Sequence, residues 1–361
     1  MYHTHFKGTH YEAGRRWGSL LLRRKNIILE RIPFEITGER VEYALSCLPI
    51  YEKYYHEITE EIQGLADGQG CDVRMLQAVL FSMYAMPPAC HCSCFAFAAG
   101  REILLGRNSD FLTALEKRNL NVIYTLTDGA YPFTGNTTAF VEMEDGVNAR
   151  GLAAGLTSVY PRRREPGFTA GLLLRYLLEK CGSVPEAVSC LRRLPIASAQ
   201  TLTLADASGN IALVECDAER TEIAASWSDG RPFVCATNAF HLEGMTDRGC
   251  ADIDDWSAET RYQTMRSALQ VRKEPDLTFA KELLSGDHGF LCQYDRSTDR
   301  DTVWSVIYDL GRGGIYRSEG TPDGGASGKI PGFAFEVSLS YLTGPSGETR
   351  TSGHPAPKGH P

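Results

Sequence analysis

The sequence predicts an α+β protein in which helices and strands form separate layers. Residues 1–91 carry helical periodicity, whereas strand-like segments and helices alternate irregularly over the rest of the chain. Irregular alternation favours a layered α+β arrangement over a doubly wound parallel sheet. In addition, no GxGxxG motif follows a predicted strand. The pattern alone specifies the fold class no further than this.

Length and composition describe an ordinary globular protein. The chain has 361 residues, of which 43% are hydrophobic and 23% charged, and a formal net charge of −8. We expect no nucleic-acid partner, because such proteins carry a basic surface. We expect no membrane span either, because no apolar run approaches the ~20 residues that a spanning helix needs. The N-terminal MYHTHFKGTH does not resemble a signal peptide, so the eleven cysteines are expected to be mostly reduced, in a cytoplasmic protein.

The first 91 residues predict three helices. Apolar residues recur at helical spacing over residues 11–29 and again over residues 41–65. The second run ends in the glycine-containing stretch 66–70, which suits a left-handed C-cap. The third helix is expected to begin after Asp72, a candidate N-cap, and to end at about residue 86, because Pro87-Pro88 follows.

Beyond residue 92 the pattern changes to short strands with helices between them. Strands are predicted over residues 122–126, 139–143, 151–156, 201–205, 211–216, 233–236, 303–310, 314–316 and 333–337, and helices over 170–180, from 183, over 257–271 and over 277–284. Ser183 with Pro185 and Glu186 forms a helix-capping pattern. Residues 343–361 are rich in Gly, Pro, Ser and Thr, and we expect this tail to be disordered.

Residues 90–111, CHCSCFAFAAGREILLGRNSDF, carry the strongest functional signal. Two apolar runs flank Gly100-Arg101, and this predicts a β-hairpin. If the turn centres there, facing residues have numbers that sum to about 201, so that Cys92 faces approximately Ser109. The return strand then brings the polar cluster from Arg107 to Asp110 beside a thiol. A thiol near a cation and a carboxylate has the surroundings of an activated nucleophile.

Several interpretations of this cluster remain open from the residues alone. Cys90 and Cys94 alternate onto the same face of an extended strand as Cys92. His241 and His288 are possible partners in a Cys–His dyad. A free α-amine at residue 92 could act as the base in place of a histidine, because its pKa of ~7.7–8.0 is close to the ~8.5 of the thiol. A free amine there requires cleavage of the preceding peptide bond. The clustered thiols also permit a metal site, although no metal is expected.

These motifs resemble those of N-terminal-nucleophile amide hydrolases. Cys92-Ser93-Cys94-Phe95-Ala96, the hairpin and Gly106 to Asp110 are similar to the start of the catalytic chain in the penicillin acyltransferase-like family. Choloylglycine hydrolases and penicillin V acylases are more distant relatives. The resemblance implies a four-layer αββα fold. It also implies a helical precursor segment over residues 1–91, a catalytic domain over residues 92–342 and a tail over residues 343–361.

The resemblance also implies a set of site residues. Cys92 would open the catalytic chain after autocatalytic cleavage at His91–Cys92. Arg107 and Asp110 of the return strand would lie against it, although an ion pair between them on the surface would contribute little. Asn238, after a predicted strand, is the candidate oxyanion donor, or else an ordinary turn residue. Arg261 matches the Arg of a Ser-x-x-x-Arg helix start in the family.

Two further residues are weaker substrate-binding candidates. Ser93 follows the expected nucleophile, and its backbone N–H could serve the oxyanion. Thr157 stands where choloylglycine hydrolases carry an Asn after a Gly-Leu pair, and this departure argues against bile-salt hydrolysis.

The expected activity is hydrolysis or transfer at a linear amide C–N bond, without a cofactor. The substrate would be a small-molecule acyl amide or an acyl-CoA-type compound. The sequence leaves open the acyl group, the acceptor and the oligomeric state. A thiol-rich metal-binding protein and an uncleaved, non-catalytic scaffold on the same fold are the alternatives.

Overall fold

The structure, a computed structural model, describes residues 1–86, 91–250, 253–322, 334–338 and 342. Its helices are α1 (His10–Arg23), α2 (Gly38–Tyr54), α3 (His56–Gln69), α4 (Val73–Ser82), α5 (Ala170–Lys180), α6 (Val184–Leu191), α7 (Ser226–Asp229), α8 (Ala258–Val271) and α9 (Leu277–Leu284). Its strands are β1 (Tyr2–Gly8), β2 (His91–Ala99), β3 (Glu102–Leu112), β4 (Leu120–Leu126), β5 (Phe133–Thr137), β6 (Asp145–Asn148), β7 (Leu152–Val159), β8 (Ala199–Asp206), β9 (Ile211–Cys216), β10 (Thr221–Ala225), β11 (Phe233–Ala236), β12 (Arg300–Asp309), β13 (Gly314–Glu319) and β14 (Ala334–Ser338).

Two sheets pack face to face between layers of helices. One sheet has the strand order β1-β4-β5-β6-β7-β8-β9-β10, and the other has the order β11-β2-β3-β12-β13-β14. Alternation along β2 explains the layering, because Cys94 and Ala96 face the other sheet whereas Phe95 and Phe97 face α8 and α9. Helices α1 to α6 cover the outer face of the eight-stranded sheet. This arrangement confirms the expected four-layer αββα fold.

The N-terminal segment differs from its prediction in three places. Residues 2–8, expected to belong to a helical region, form β1, which pairs in parallel with β4. The first helix ends at Arg23 rather than near residue 29, and Lys25 just beyond it takes a positive φ of 56°. The second predicted run is divided between α2 and α3 at Tyr55, whose φ is −151°. Because Tyr55 is fully buried, packing has overridden a continuous helical pattern there.

The helix signals at the chain's capping residues are confirmed. Gly70 takes the left-handed conformation after α3, and Asp72 caps α4 by accepting from Arg74 N–H. Ser183 caps α6 by accepting from Glu186 N–H. The third helix, predicted to reach about residue 86, ends at Ser82.

Helices α1 and α3 cross with their backbones in contact. A Cβ atom on Gly14 would lie 2.0 Å from the Glu61 carbonyl oxygen, and one on Gly64 would lie 2.1 Å from the Tyr11 carbonyl oxygen. Gly18 and Gly68 are as closely approached by the opposite helix. The glycines of both helices are therefore required by a close crossing, which the sequence pattern alone did not indicate.

Replacing Gly64 with alanine should lower the free energy of unfolding by about 1–3 kcal/mol, because the added methyl group would force the α1 and α3 backbones apart. Denaturant unfolding of the purified chain measures this loss. Gly38→Ala is the matched control, since a Cβ at Gly38 would meet nothing within 4 Å. Because alanine has the higher helix propensity, Gly38→Ala should be neutral or slightly stabilising, and an equal loss in both variants would show that the crossing is not responsible.

A buried polar network ties the N-terminal segment to the rest of the chain. Arg175 of α5 donates to Glu61 of α3 at 2.5 Å and to Glu179 at 2.8 Å. Glu179 is in turn 2.9 Å from His10 of α1. All four side chains are fully buried, so separating the segment from the remainder would leave unpaired charges in the core.

One predicted strand is wrong, and some predictions lie outside the described residues. Residues 139–143 form a turn region in which Phe140 has a positive φ of 58°, and the strands lie on either side as β5 and β6. The apolar side chains there are buried by the core, and burial without pairing produced the strand-like pattern. The predicted disordered tail, 343–361, lies outside the described residues. No helix in the described part of the chain has the length and apolarity to cross a membrane.

Candidate active site

The predicted hairpin forms with the predicted register. Gly100 takes a positive φ of 63° at the turn, and Cys92 pairs with Ser109. Cys94 pairs with Arg107 two positions further along. The register brings the Arg107 side chain onto the same face as both thiols, in the interior between the two sheets.

Arg107 is the direct partner of the Cys92 thiol. Its Nη2 lies 2.8 Å from Cys92 Sγ. Arg107 is fully buried and Cys92 nearly so, which rules out the alternative of a surface ion pair. Burial alone would lower the pKa of Arg107, but the negative charges of Cys92, Asp145 and Glu144 around it raise that pKa. The guanidinium therefore stays charged and favours the thiolate form of a nearby cysteine.

Two carboxylates hold Arg107 in place, and sequence reasoning identified neither. Asp145 Oδ2 accepts from Arg107 Nη1 at 3.1 Å, and Glu144 Oε2 lies 3.3 Å from Nη2. Trp304 and Tyr308 donate to Asp145 at 3.0 and 2.6 Å. The signal available in the sequence was the adjacent acidic pair Glu144-Asp145, but its distance of more than thirty residues from Arg107 concealed the contact.

The backbone of Cys92 is held on both sides. Its N–H donates to Asn238 Oδ1 at 2.9 Å, and its carbonyl oxygen accepts from Arg261 Nη1 at 2.6 Å. Arg261 Nη2 also donates to Asn238 Oδ1 at 2.9 Å, and Asn238 Nδ2 donates to the Ser158 carbonyl oxygen at 2.8 Å. Asn238, predicted from the sequence, therefore contacts the peptide group that joins residues 91 and 92. Arg261, also predicted from the sequence, contacts the next peptide group, which joins residues 92 and 93.

Asp110 lies on the other face of the sheet from the Cys92 side chain. It pairs in register with His91, and its carboxylate accepts from Tyr294 at 3.0 Å and from Thr302 at 2.6 Å. Arg261 Nη1 is 3.6 Å from its Oδ2. Burial raises the pKa of Asp110 to about 6, against the lowering effect of Arg261. Asp110 thus reaches Cys92 through Arg261 rather than by direct contact.

The two weaker candidates occupy buried positions next to this group. Ser93 Oγ accepts from Arg261 Nη1 at 3.0 Å. Thr157 Oγ1 donates to the Thr237 carbonyl oxygen at 2.6 Å, directly before Asn238. Both side chains are fully buried. Their contacts support Arg261 and the backbone at Asn238.

The rival nucleophiles and bases have other surroundings. Burial raises the pKa of Cys94 to about 12, which keeps it a thiol, and Cys90 lies outside the described residues. His241 contacts Glu259, and His288 contacts Glu282, so neither ring reaches Cys92 in this structure. Within residues 1–86, 91–250 and 253–322, no group of three His, Cys, Asp or Glu side chains has the arrangement of a metal site.

His91, whose carbonyl carbon belongs to the peptide bond before Cys92, is itself buried. Its ring stacks on Trp256 with centroids 4.4 Å apart. Burial lowers its pKa to about 3, so the imidazole is neutral at physiological pH. Neither ring nitrogen has a hydrogen-bond partner among the described residues.

Solved structures of several amide hydrolases are similar to this chain. The Caenorhabditis elegans ortholog of N-acylethanolamine-hydrolyzing acid amidase is 17% identical, with 61% of this chain and 93% of that one covered and a TM-score of 0.45. Penicillin V acylase from Agrobacterium tumefaciens is 16% identical, with coverage of 63% and 82% and a TM-score of 0.38. A mutant of conjugated bile acid hydrolase from Clostridium perfringens is 15% identical, with coverage of 63% and 89% and a TM-score of 0.43. Comparison with curated proteins yields no match.

A family model gives the decisive comparison. The model described as acyl-coenzyme A:6-aminopenicillanic acid acyl-transferase matches residues 98–323, which is more than half of the chain. The matched region includes Arg107, Asp110, Asn238 and Arg261 and begins six residues after Cys92. The family expected from the hairpin motif is thereby confirmed: the chain belongs to the acyl-coenzyme A:6-aminopenicillanic acid acyl-transferase family, a group of amide hydrolases and acyltransferases of the N-terminal-nucleophile type.

Proposed function

We propose that this protein hydrolyses or transfers the acyl group of a linear amide through a thioester on Cys92, after cleaving itself at His91–Cys92. The observation that carries the proposal is the distance of 2.8 Å between Arg107 Nη2 and Cys92 Sγ, inside a buried site. A fixed, always charged guanidinium lowers the cost of forming the thiolate. Asn238 Oδ1 holds the N–H of the His91–Cys92 peptide group, and Arg261 holds the adjacent Cys92 carbonyl oxygen. Both contacts fix the backbone beside the bond that would be cleaved.

Self-cleavage would use the Cys92 thiolate as its nucleophile. Sulfur attacks the His91 carbonyl carbon, and the acyl group passes from nitrogen to sulfur as the C–N bond breaks and the nitrogen takes a proton. Water then hydrolyses the thioester, leaving a carboxylate on His91 and a free α-amine on Cys92. Asn238 Oδ1, which accepts the Cys92 N–H in the uncleaved chain, would retain the α-ammonium group afterwards.

Turnover would then use the same sulfur with the new α-amine as base. The amine and thiol have pKa values within about one unit of each other, so proton transfer between them is nearly balanced at neutral pH. The thiolate attacks the substrate acyl carbon, the leaving amine takes a proton, and a thioester forms. Water resolves it in a hydrolase, and a second amine resolves it in an acyltransferase. An acyl-CoA-type substrate would acylate Cys92 by thiol exchange instead.

The remaining residues would position these groups. Asn238 Nδ2 is the candidate donor to the tetrahedral oxyanion. Arg261 orients Asn238 and the Cys92 carbonyl, and Asp110 with Ser93 orients Arg261. Thr157 fixes the backbone that precedes Asn238. In this proposal Asp110, Ser93 and Thr157 act as positioning residues. From the sequence, Asp110 was expected to lie against Cys92, and Ser93 and Thr157 were candidates for substrate binding.

Intact-mass spectrometry of the purified wild-type chain tests the cleavage. We expect two polypeptides of 91 and 270 residues (361 − 91 = 270) that stay associated, because Glu61 and His10 are paired with α5 in the core. Size-exclusion chromatography under native conditions checks the association. An active preparation containing only the full-length chain would contradict cleavage, and a full-length, inactive chain with an intact Cys92 would favour a non-catalytic scaffold.

A further inference from the structure

A cavity of about 590 Å³ lies against the proposed site. Two of its polar lining residues connect it to that site: Ser109, which pairs with Cys92 across the hairpin, and Glu144, which contacts Arg107. Both are buried. Glu144 Oε2 is 3.3 Å from the same Arg107 Nη2 that lies 2.8 Å from Cys92 Sγ. The cavity therefore approaches the nucleophile from the Ser109 side, and its volume is in the range of small-molecule sites.

The body of the cavity is apolar and is shared between the two proposed chains. Before residue 91 its apolar wall comes from β1, from α1 and the segment after it, and from the residues that follow α4. After residue 91 it comes from β3 and the segment after it, from β4 and from the turn before β6. Its aromatic lining residues include Phe6, Trp17, Phe34, Phe111 and Phe140. An unbranched hydrocarbon or aromatic body would find apolar contacts along this wall.

The mouth of the cavity is positively charged, although the whole chain carries a net charge of −8. Five exposed cations line it, and Glu144, at the inner end, is the single carboxylate among its described lining residues. None of the five side chains makes an ion pair or a hydrogen bond within the described part of the chain. The five are Arg24, Lys25, Arg31, Lys117 and Arg118.

From this arrangement we infer that the substrate is an anionic amphiphile: an acyl compound whose reacting carbonyl lies near Cys92, whose apolar body fills the cavity, and whose far end carries a carboxylate or phosphate at the cationic mouth. Only the position of the reacting carbonyl at Cys92 rests on the proposed function. The five cations, which pair with no described residue, lie at the open end of an apolar cavity on an acidic protein. They provide charge complementarity to such a ligand.

The first test compares substrates that differ only in the distal charge. One pair is an N-acyl amide with a terminal carboxylate on its acyl chain and the same amide with a terminal methyl group. The second pair is S-acyl phosphopantetheine and S-acyl pantetheine, in which the anion belongs to the leaving group. In one of the two pairs, we expect kcat/KM of the anionic member to exceed that of the uncharged member roughly tenfold or more. This preference should decrease as ionic strength rises. The pair that responds identifies the source of the anion.

The variant Arg24→Gln/Lys25→Gln/Arg31→Gln/Lys117→Gln/Arg118→Gln should bring that preference close to one, because kcat/KM falls for the anionic member. The control Arg101→Gln/Lys273→Gln removes two exposed cations that do not line the cavity, and it should retain the preference. Turnover with equal kcat/KM for both members of both pairs, or a preference that survives in the five-residue variant, would overturn the inference while leaving the proposed reaction intact.

A binding measurement keeps the inference testable if no substrate in the panel turns over. Trp17, one of four tryptophans in the chain, lines the cavity, so a change in the tryptophan fluorescence of the full-length Cys92→Ala chain reports occupancy by decanoate or by 1-decanol. We expect decanoate to bind roughly tenfold more tightly than the alcohol, and the five-residue variant to lose that difference. Equal affinity for the two ligands, or an unchanged difference in the variant, would overturn the inference whatever the fate of the proposed activity.

Discussion

Cys92→Ala should yield a full-length chain that neither cleaves itself nor turns over any acyl amide. Without the sulfur there is no nucleophile for the N-to-S acyl shift and none for the thioester, so both reactions stop at the same point. Removal of the nucleophile from a catalytic unit typically costs on the order of 10⁴-fold or more in kcat. Intact mass measures the first effect, and the rate of amine release from a panel of N-acyl amides measures the second.

Cys94→Ala is the matched control for this experiment. Cys94 lies two residues along the same strand face, in the same buried layer, but the pKa of its thiol is raised to about 12 by burial. We therefore expect this variant to process itself and to keep measurable activity, with some loss of stability from the cavity that the substitution leaves. Cys90→Ala should also remain active. If Cys94→Ala were inactive while Cys92→Ala still turned over, the assignment of the nucleophile would be wrong.

The hairpin was predictable because its signals are local. A glycine between two apolar runs determines where the chain turns, and the turn determines which residues face each other. The pairing of Cys92 with Ser109 therefore followed from residue numbers alone. The same holds for α5 and α9, whose predicted and observed bounds coincide, because their apolar periodicity is uninterrupted.

The partners of Arg107 were not predictable in this way. Asp145 contacts it from the other sheet, and no local pattern records which residues of two stacked sheets meet. Asp110 was expected against Cys92 together with Arg107, but a spacing of three residues along a strand puts the side chains of Arg107 and Asp110 on opposite faces. The alternation of side chains along a strand predicts this separation, whereas the family resemblance placed both residues against Cys92.

Residues 139–143 show a different limit of sequence patterns. Val141 and Met143 are buried as they would be in a strand, but the backbone around Phe140 turns. A strand pattern detects apolar residues at alternate positions, and this turn carries such residues because it packs on the core. The glycines at the crossing of α1 and α3 show that a long-range contact can leave no local pattern. The contact that requires them joins two helices more than forty residues apart in the sequence.

Asn238→Ala should lower kcat by about 10²–10³-fold with little change in KM, if its amide N–H donates to the oxyanion, because that contact strengthens only in the transition state. The structure adds a second expectation. Asn238 Oδ1 accepts the Cys92 N–H and a guanidinium N–H of Arg261, so the same variant should also cleave itself slowly. Steady-state kinetics and a time course of intact mass measure the two effects.

Asn238→Asp separates the two functions of this side chain. Aspartate keeps an oxygen acceptor for Cys92 and Arg261 but removes the N–H donor. We expect this variant to cleave itself faster than Asn238→Ala while its kcat for amides stays reduced by about 10²-fold or more. A residue with only a structural role in the turn would instead cost ~0.5–2 kcal/mol in unfolding free energy with near-normal kcat in both variants. Thermal melts run beside the kinetics distinguish these results, and near-normal kcat would transfer the oxyanion role to a backbone N–H such as that of Ser93.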